Sequence, residues 1–187
     1  VSIYGYKGSD TSVVIPDEIS GSPVTKIDSS AFEGCTDLKS ITLPSTISEI
    51  GNYAFKDCVN LTEFNIPANV NEIKKGTFEN CTALGTVEFP NALSVIGEVA
   101  FKNCESLEEV TLYKNLSRIS DSAFEGCSSL AKFTFLGSVR SIGAAAFKDC
   151  ITIESIIIPE GITALNDETF SGCTNLESVT LPSGLKT

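Results

Sequence analysis

Along most of the chain, pairs of apolar residues alternate with polar ones over short stretches that recur at a constant interval. Ile41 and Leu43 alternate with Ser40 and Thr42, and the same pattern returns at Phe64/Ile66, Val87/Phe89, Val110/Leu112, Phe133/Phe135, Ile156/Ile158 and Val179/Leu181. A period of two is that of a strand with one buried face, so each interval carries one short strand. Pro44, Pro67, Pro90, Pro159 and Pro182 follow these strands directly. Proline has no N–H to give to a ladder, so it ends the strand and turns the chain. A second extended piece carries Ile47 and Ile50, with Gly51 as the expected turn residue. The segment around Ala54 and Phe55 opens on polar residues such as Asn52, or Asp121 and Asp167 in other intervals, and is predicted to form one helical or 3-10 turn.

The interval is set by cysteine. Cys35, Cys58, Cys81, Cys104, Cys127, Cys150 and Cys173 lie 23 residues apart, each three positions after a phenylalanine. Fixed apolar positions at a fixed period are the mark of a solenoid, in which each unit is too small to bury its own apolar face and becomes stable only against its neighbours. The expected fold is a repeat solenoid, mostly β, with one short strand per 23-residue coil and short helical or 3-10 turns, stacked into a right-handed curved array.

Composition narrows the functional classes. The chain has 187 residues, 42% hydrophobic, with 24 acidic against 13 basic side chains and a net charge of -11. That balance repels a phosphate backbone and leaves no basic stripe, which argues against nucleic acid as a partner. No apolar run is long enough to span a bilayer. Histidine, tryptophan and methionine are absent. Without histidine, Ser-His-Asp and Cys-His nucleophiles and the commonest transition-metal ligand are unavailable. The expectation is a non-enzyme with no catalytic, metal or cofactor residues.

Two sets of residues invite chemistry and are read as structural. The cysteines are odd in number and form no C-x-x-C pair, and each sits where a small apolar residue would pack against the phenylalanine before it, so they are expected to be free buried thiols. Glu63, Glu88 and Glu109 fall on the outward side of consecutive strands, where other repeats place Ser, Thr or Lys, so they are taken as a solvated acidic face rather than a glycosidase pair or calcium site. Three sequons, starting at Asn60, Asn80 and Asn115, are explained by the polar residues that recur at those positions.

Departures from the repeat are the stronger functional signal. The strand-ending proline becomes Tyr113 and then Leu136 in neighbouring coils, and the outward polar strand position becomes Ile157 in the next. With Lys132 and Arg140 nearby, these residues make a candidate partner-binding patch, apolar and basic on an acidic protein. The outward strand positions Ser40, Glu63, Glu88 and Glu109 represent the candidate exposed strand face.

The unit A-F-x-x-C-x-x-L-x-x-I-x-L-P-x-x-I-x-x-I-G resembles the BspA-type leucine-rich repeats, and the likeness runs from about Val13 to Thr187. It implies a leucine-rich-repeat-like solenoid in which residues 31–187 form seven 23-residue repeats, the last one cut short, as a piece of a longer protein. Residues 1–30 then form an amino-terminal cap and an atypical first repeat: Val13, Ile15 and Pro16 match Ile41, Leu43 and Pro44, Ile19 and Ile27 are separated by an inserted Gly21-Ser22-Pro23-Val24-Thr25 loop, and Val1–Tyr6 is expected to pair as a short hairpin over the open edge.

By resemblance, the implied function is that of bacterial or protozoal surface proteins that adhere to host matrix proteins such as fibronectin and fibrinogen. The expected partner is therefore a protein, host matrix or another cell surface, met outside the cell by the extended sheet face, with the chain a monomer or a weak dimer through its uncapped end. The alternative is a spacer that holds another domain away from the envelope. A carbohydrate-binding module ranks last, because tryptophan platforms are missing.

Overall fold

The computed structural model describes residues 1–137 and 139–186; Thr187, where the last expected repeat ends, lies outside them. It is a β-solenoid of stacked coils with two parallel strand columns. The main column holds β2 (Ser12–Val14), β6 (Ser40–Thr42), β8 (Glu63–Asn65), β10 (Thr86–Glu88), β12 (Glu109–Leu112), β14 (Lys132–Phe135), β16 (Ser155–Ile157) and β17 (Ser178–Thr180). The second column holds β1 (Ser2–Ile3), β5 (Lys26–Ile27), β7 (Glu49–Ile50), β9 (Glu72–Ile73), β11 (Val95–Ile96), β13 (Arg118–Ile119) and β15 (Ser141–Ile142). Strands pair in register from coil to coil, Val110 opposite Phe133 and Ile96 opposite Ile119, so equivalent residues stack directly.

The core is a set of such columns. Phe32, Phe55, Phe78, Phe101, Phe124 and Phe147 are fully buried and stack with centroids 5.2 to 5.8 Å apart. Strand phenylalanines wedge edge-on between these rings, Phe64 at 4.9 Å from Phe55 and 4.7 Å from Phe78, an arrangement the ring quadrupoles favour. Tyr6 takes the first place in the column, 5.3 Å from Phe32, and its hydroxyl donates to Asp10 at the solvent edge. A tyrosine suits that end because its ring is apolar and its tip is polar.

The expected helical or 3-10 turn around each phenylalanine is not formed. Alternate N–H groups in this segment leave the coil: Tyr53, Phe55 and Asp57 donate to the carbonyls of Lys75, Thr77 and Glu79 one coil on, at 2.8–2.9 Å. The residues between them close separate tight turns, as Lys56 N–H to Tyr53 and Cys58 N–H to Phe55. A helix would need every N–H inside its own segment, whereas here every second one belongs to the stack. The consequence is a positive φ two residues before and after each phenylalanine of the column, taken by glycine at Gly34, Gly76, Gly126 and Gly172 but by other residues at Tyr53 (φ 58) and Asp57 (φ 59) or Val99 (φ 50) and Asn103 (φ 59). A β-branched valine in the left-handed region is uncommon and persists only when its surroundings over-determine it.

The amino-terminal region differs from expectation in two ways. Val1–Tyr6 does not fold back as a hairpin; β1 adds in parallel to β5, placing Ile3 opposite Ile27 and extending the second column by half a coil. The hairpin that does form is antiparallel, β3 (Glu18–Ile19) with β4 (Ser22–Pro23), turning through Ser20 (φ 52) and Gly21 (φ 75). Two positive φ angles match the right-handed twist of a tight hairpin. It projects outward, leaving Ile19 40% exposed, while Val24 is buried in the core below Ile47. The inserted loop therefore supplies the core residue, and Ile19 does not. Gly51 also differs in its reason: a side chain there would meet the backbone nitrogen of Ser29 at 2.4 Å, so close approach of coils, not a turn, demands glycine.

Candidate functional site

The cysteine column is settled by its partners. All seven thiols are free. The thiols of Cys58, Cys81, Cys104, Cys127, Cys150 and Cys173 each donate to the carbonyl of the phenylalanine one coil back, at 3.0–3.2 Å. That same carbonyl accepts the N–H of its own coil's cysteine, as Cys35 N–H to Phe32. Sequence reasoning took these positions as small and apolar and missed the donor. Its only trace was the invariance of cysteine where alanine or valine would fill the space. Desolvation pushes the Cys58 thiol up to about 12, and Cys81 and Cys104 well above their ordinary value, so none of the three is a thiolate at neutral pH. The column is an adhesive within the stack and not a nucleophile.

The turn side is equally closed. One exposed-side column reads Glu33, Lys56, Glu79, Lys102, Glu125, Lys148, with the sign alternating at every coil. Lys56 lies 3.3 Å from Glu79 and Lys102 3.0 Å from Glu125. Beside it, the Asn103 amide donates to Asn80 at 2.9 Å and Asn80 to Asp57 at 2.7 Å, a ladder that ends where Asn103 Oδ1 stands 2.4 Å from where Gly126 would carry a side chain. Each sequon asparagine amide is likewise engaged with the preceding coil: Asn60 with Thr36, Asn80 with Asp57 and Asn115 with Asn91, all at 2.7 Å.

The outer face of the main strand column is open by contrast. Glu63, Glu88 and Glu109 are exposed there, Glu63 opposite Thr86 and Glu88 opposite Asn65, and Ser40 bonds Ser12 at 2.9 Å. Shallow hollows lie between these strands. One is lined by Thr42, Glu63, Asn65, Thr86 and Glu88; the next by Glu88, Glu108, Glu109, Thr111 and Tyr113. Among the described residues no group of three or more carboxylates, cysteines or histidines is placed to hold a metal ion.

The departures from the repeat lie on this face. Tyr113 and Leu136 occupy the proline row of adjacent coils, 38% and 56% exposed, and Ile157, on the outer face of β16, is 68% exposed. They do not fold over the core edge. Leu136 has an N–H where proline has none, and it donates to Leu112 at 2.8 Å, so β12 and β14 pair over four residues. Lys132 is not a free cation; its amine lies 2.7 Å from Glu109 on the next strand. Ile157 and Lys132 flank one hollow and Tyr113 the acidic one, so the expected patch is spread over neighbouring hollows. Arg140 lies round the corner, its N–H donating to Ser117 at 2.9 Å.

Known proteins share this architecture. The family model for the BspA type leucine-rich repeat region matches residues 3–131 and 95–187, in 6 copies. A leucine-rich repeat protein from Bacteroides ovatus superposes with a TM-score of 0.89 at 34% identity, over 93% of this chain and 46% of that one. The chain thus spans about half the length of that relative. The T. pallidum leucine-rich repeat protein matches at TM-score 0.73 and 33% identity, over 97% of this chain and 75% of its own. A leucine-rich cell surface protein from Faecalibacterium prausnitzii shares the fold at TM-score 0.50 and 22% identity, over 98% of this chain and 85% of its own. No match is found among curated proteins. The repeat unit, the stacked coils and these relatives together establish that the chain belongs to the BspA-type leucine-rich repeat family.

Proposed function

We propose that the chain is a non-catalytic, adhesin-like protein-recognition module that works outside the cell and meets its partner with the outer face of the main strand column. The observation that carries this is the set of exposed apolar residues, Tyr113, Leu136 and Ile157, on a face whose side chains are little engaged in stacking. Exposed aromatic and aliphatic side chains ringed by polar ones are what protein interfaces bury. The sequestered thiols and the lack of histidine support a role without catalysis. The name of the F. prausnitzii protein, a cell surface protein, supports an extracellular place.

Binding of the isolated chain to immobilised matrix proteins, fibronectin and fibrinogen among them, tests this at physiological salt. Saturable binding is expected, reduced at least about tenfold by Tyr113→Ser, Leu136→Ser and Ile157→Thr together, since buried aromatic anchors carry much of an interface's energy. The serine at 136 keeps the N–H that bonds Leu112, so loss of affinity reports the side chain and not the strand. Retained binding would move the interface to another face, and no binding to any matrix protein would leave the stack as a spacer.

A further inference from the structure

Seven of the thirteen cations of this acidic chain are engaged in ion pairs. Lys26, Lys56, Lys74, Lys75, Lys102, Lys132 and Lys148 each lie within 3.5 Å of a carboxylate. Lys7, Lys39, Lys114, Arg118, Arg140 and Lys186 take no part in these pairs, and of the six Lys114, Arg118 and Arg140 are exposed together at one corner of two adjacent coils. Their neighbourhood follows from the stacking. Gly137 sits over the Lys114 backbone, where an added side chain would come within 2.4 Å of its Cα, and it follows Leu136 directly. Arg118 stands opposite Ser141, next to Arg140, whose N–H bonds Ser117. The turn Tyr113–Leu116, closed at 3.1 Å, joins Tyr113 on the strand face to Lys114 on the corner.

We infer that this corner, bordered by Tyr113 and Leu136, is the docking place for an acidic segment of a partner protein that also carries an apolar side chain. This rests on the reading of the molecule as a protein-recognition module and specifies the chemistry of what it recognises. Charge complementarity selects the occupant. On a chain of net charge -11, three cations without an ion pair, gathered at one corner beside two exposed apolar side chains, favour carboxylates and an apolar contact together. A purely anionic polymer would use the cations and leave Tyr113 and Leu136 uncovered; a neutral apolar segment would do the reverse.

The probe is a short synthetic peptide alternating glutamate and leucine, fluorescently labelled, titrated with the whole chain at low and at physiological salt. Saturable binding is expected, weakened by salt as exposed charges are screened. It should fall at least about tenfold in Lys114→Glu/Arg118→Glu/Arg140→Glu, and stay within about twofold in Lys7→Glu/Lys39→Glu/Lys186→Glu, which makes the same change of charge elsewhere. Tyr113→Ser/Leu136→Ser should weaken it too. Equal binding of an all-glutamate peptide would overturn the apolar half of the inference, and no binding would overturn it outright. Sedimentation that instead shows a salt-sensitive dimer lost in the corner variant would replace the partner segment with a second copy. Binding to matrix proteins without binding to the peptide would sink the corner and leave the module; the converse would leave the corner and sink the matrix-protein reading.

Discussion

The turn side and the strand side of each coil present polar surfaces of opposite kind. In an in-register parallel stack, equivalent side chains lie about 4.8 Å apart, so a column of identical charges would repel along its length. On the turn side the chain answers with alternation: along Glu33, Lys56, Glu79, Lys102, Glu125 and Lys148 the sign changes at every coil, Lys56 pairing with Glu79 and Lys102 with Glu125, and Asp57, Asn80 and Asn103 hand hydrogen bonds down the column beside it. On the strand side the columns are Ser, Thr and Glu with few mutual contacts, Lys132–Glu109 being an exposed exception. A face whose side chains complete each other has little left for a partner. One whose side chains do not is free to recognise something else, and the exposed Tyr113, Leu136 and Ile157 lie on the free one.

The largest effect that separates the two sides is expected in the core beneath the turn side. Phe101→Ala removes a fully buried ring stacked at 5.2 Å on Phe78 and 5.3 Å on Phe124, and should cost about 3–5 kcal/mol in denaturant unfolding. Glu63→Ala on the open strand face should change stability by no more than about 0.5 kcal/mol. A comparable loss at both would erase the distinction.

Next come the thiol donors. Cys104→Val removes the bond to the Phe78 carbonyl and adds bulk, whereas Cys104→Ser keeps a donor of similar size. Valine is expected to be the more damaging by about 1–2 kcal/mol, in the reverse order of hydrophobicity, as read from urea midpoints.

A smaller effect tests the charge alternation. Lys102→Glu puts a third acid between Glu79 and Glu125 and should cost about 1 kcal/mol at low salt, less at high salt because these side chains are partly solvated. Reversing the other five charges as well, Glu33→Lys, Lys56→Glu, Glu79→Lys, Glu125→Lys and Lys148→Glu, restores the alternation and should recover most of the loss.

The smallest is a pH effect. The hydrogen bond from Lys74, outweighing burial, holds the Glu49 carboxyl below its ordinary 4.5. A carboxyl lowered in the fold stabilises fully above its unfolded value, so this contribution is complete above about pH 4.5 and is lost as pH falls through the folded value. Glu49→Gln should flatten the acid side of the stability profile by a few tenths of a kcal/mol, since the pair is partly exposed to solvent.

Much of this was legible in the residues. The 23-residue cysteine spacing, the alternation at Ile41/Leu43 and the prolines predict a coil with one strand, because apolar period and missing N–H groups act locally. The turn conformation was not legible. Tyr53, Val99, Ala145 and Glu168 hold positive φ without the glycine that usually marks it, because hydrogen bonds between coils impose it and not the residues themselves. Val24 displaced Ile19 from the core for a related reason: the stack decides where the register resumes after the inserted hairpin. Of the candidate patch, the breaks at Tyr113, Leu136 and Ile157 were visible as broken rules, whereas the pairing of Lys132 with Glu109 needed the register. Lys114 and Arg118 broke no rule, and only the stacking that brings them to one corner with Arg140 distinguishes them.

The most direct test of the division between a closed turn side and an open strand side is one affinity comparison. A matrix protein that binds the chain is titrated against the strand-face variant Tyr113→Ser/Leu136→Ser/Ile157→Thr and against a turn-side variant in which Glu79 and Lys102 are exchanged, which keeps the net charge while breaking the alternation. Affinity lost at least about tenfold in the first and kept within about twofold in the second is the predicted result. Loss confined to the turn-side variant would place recognition on the surface assigned here to stacking, and would contradict the account.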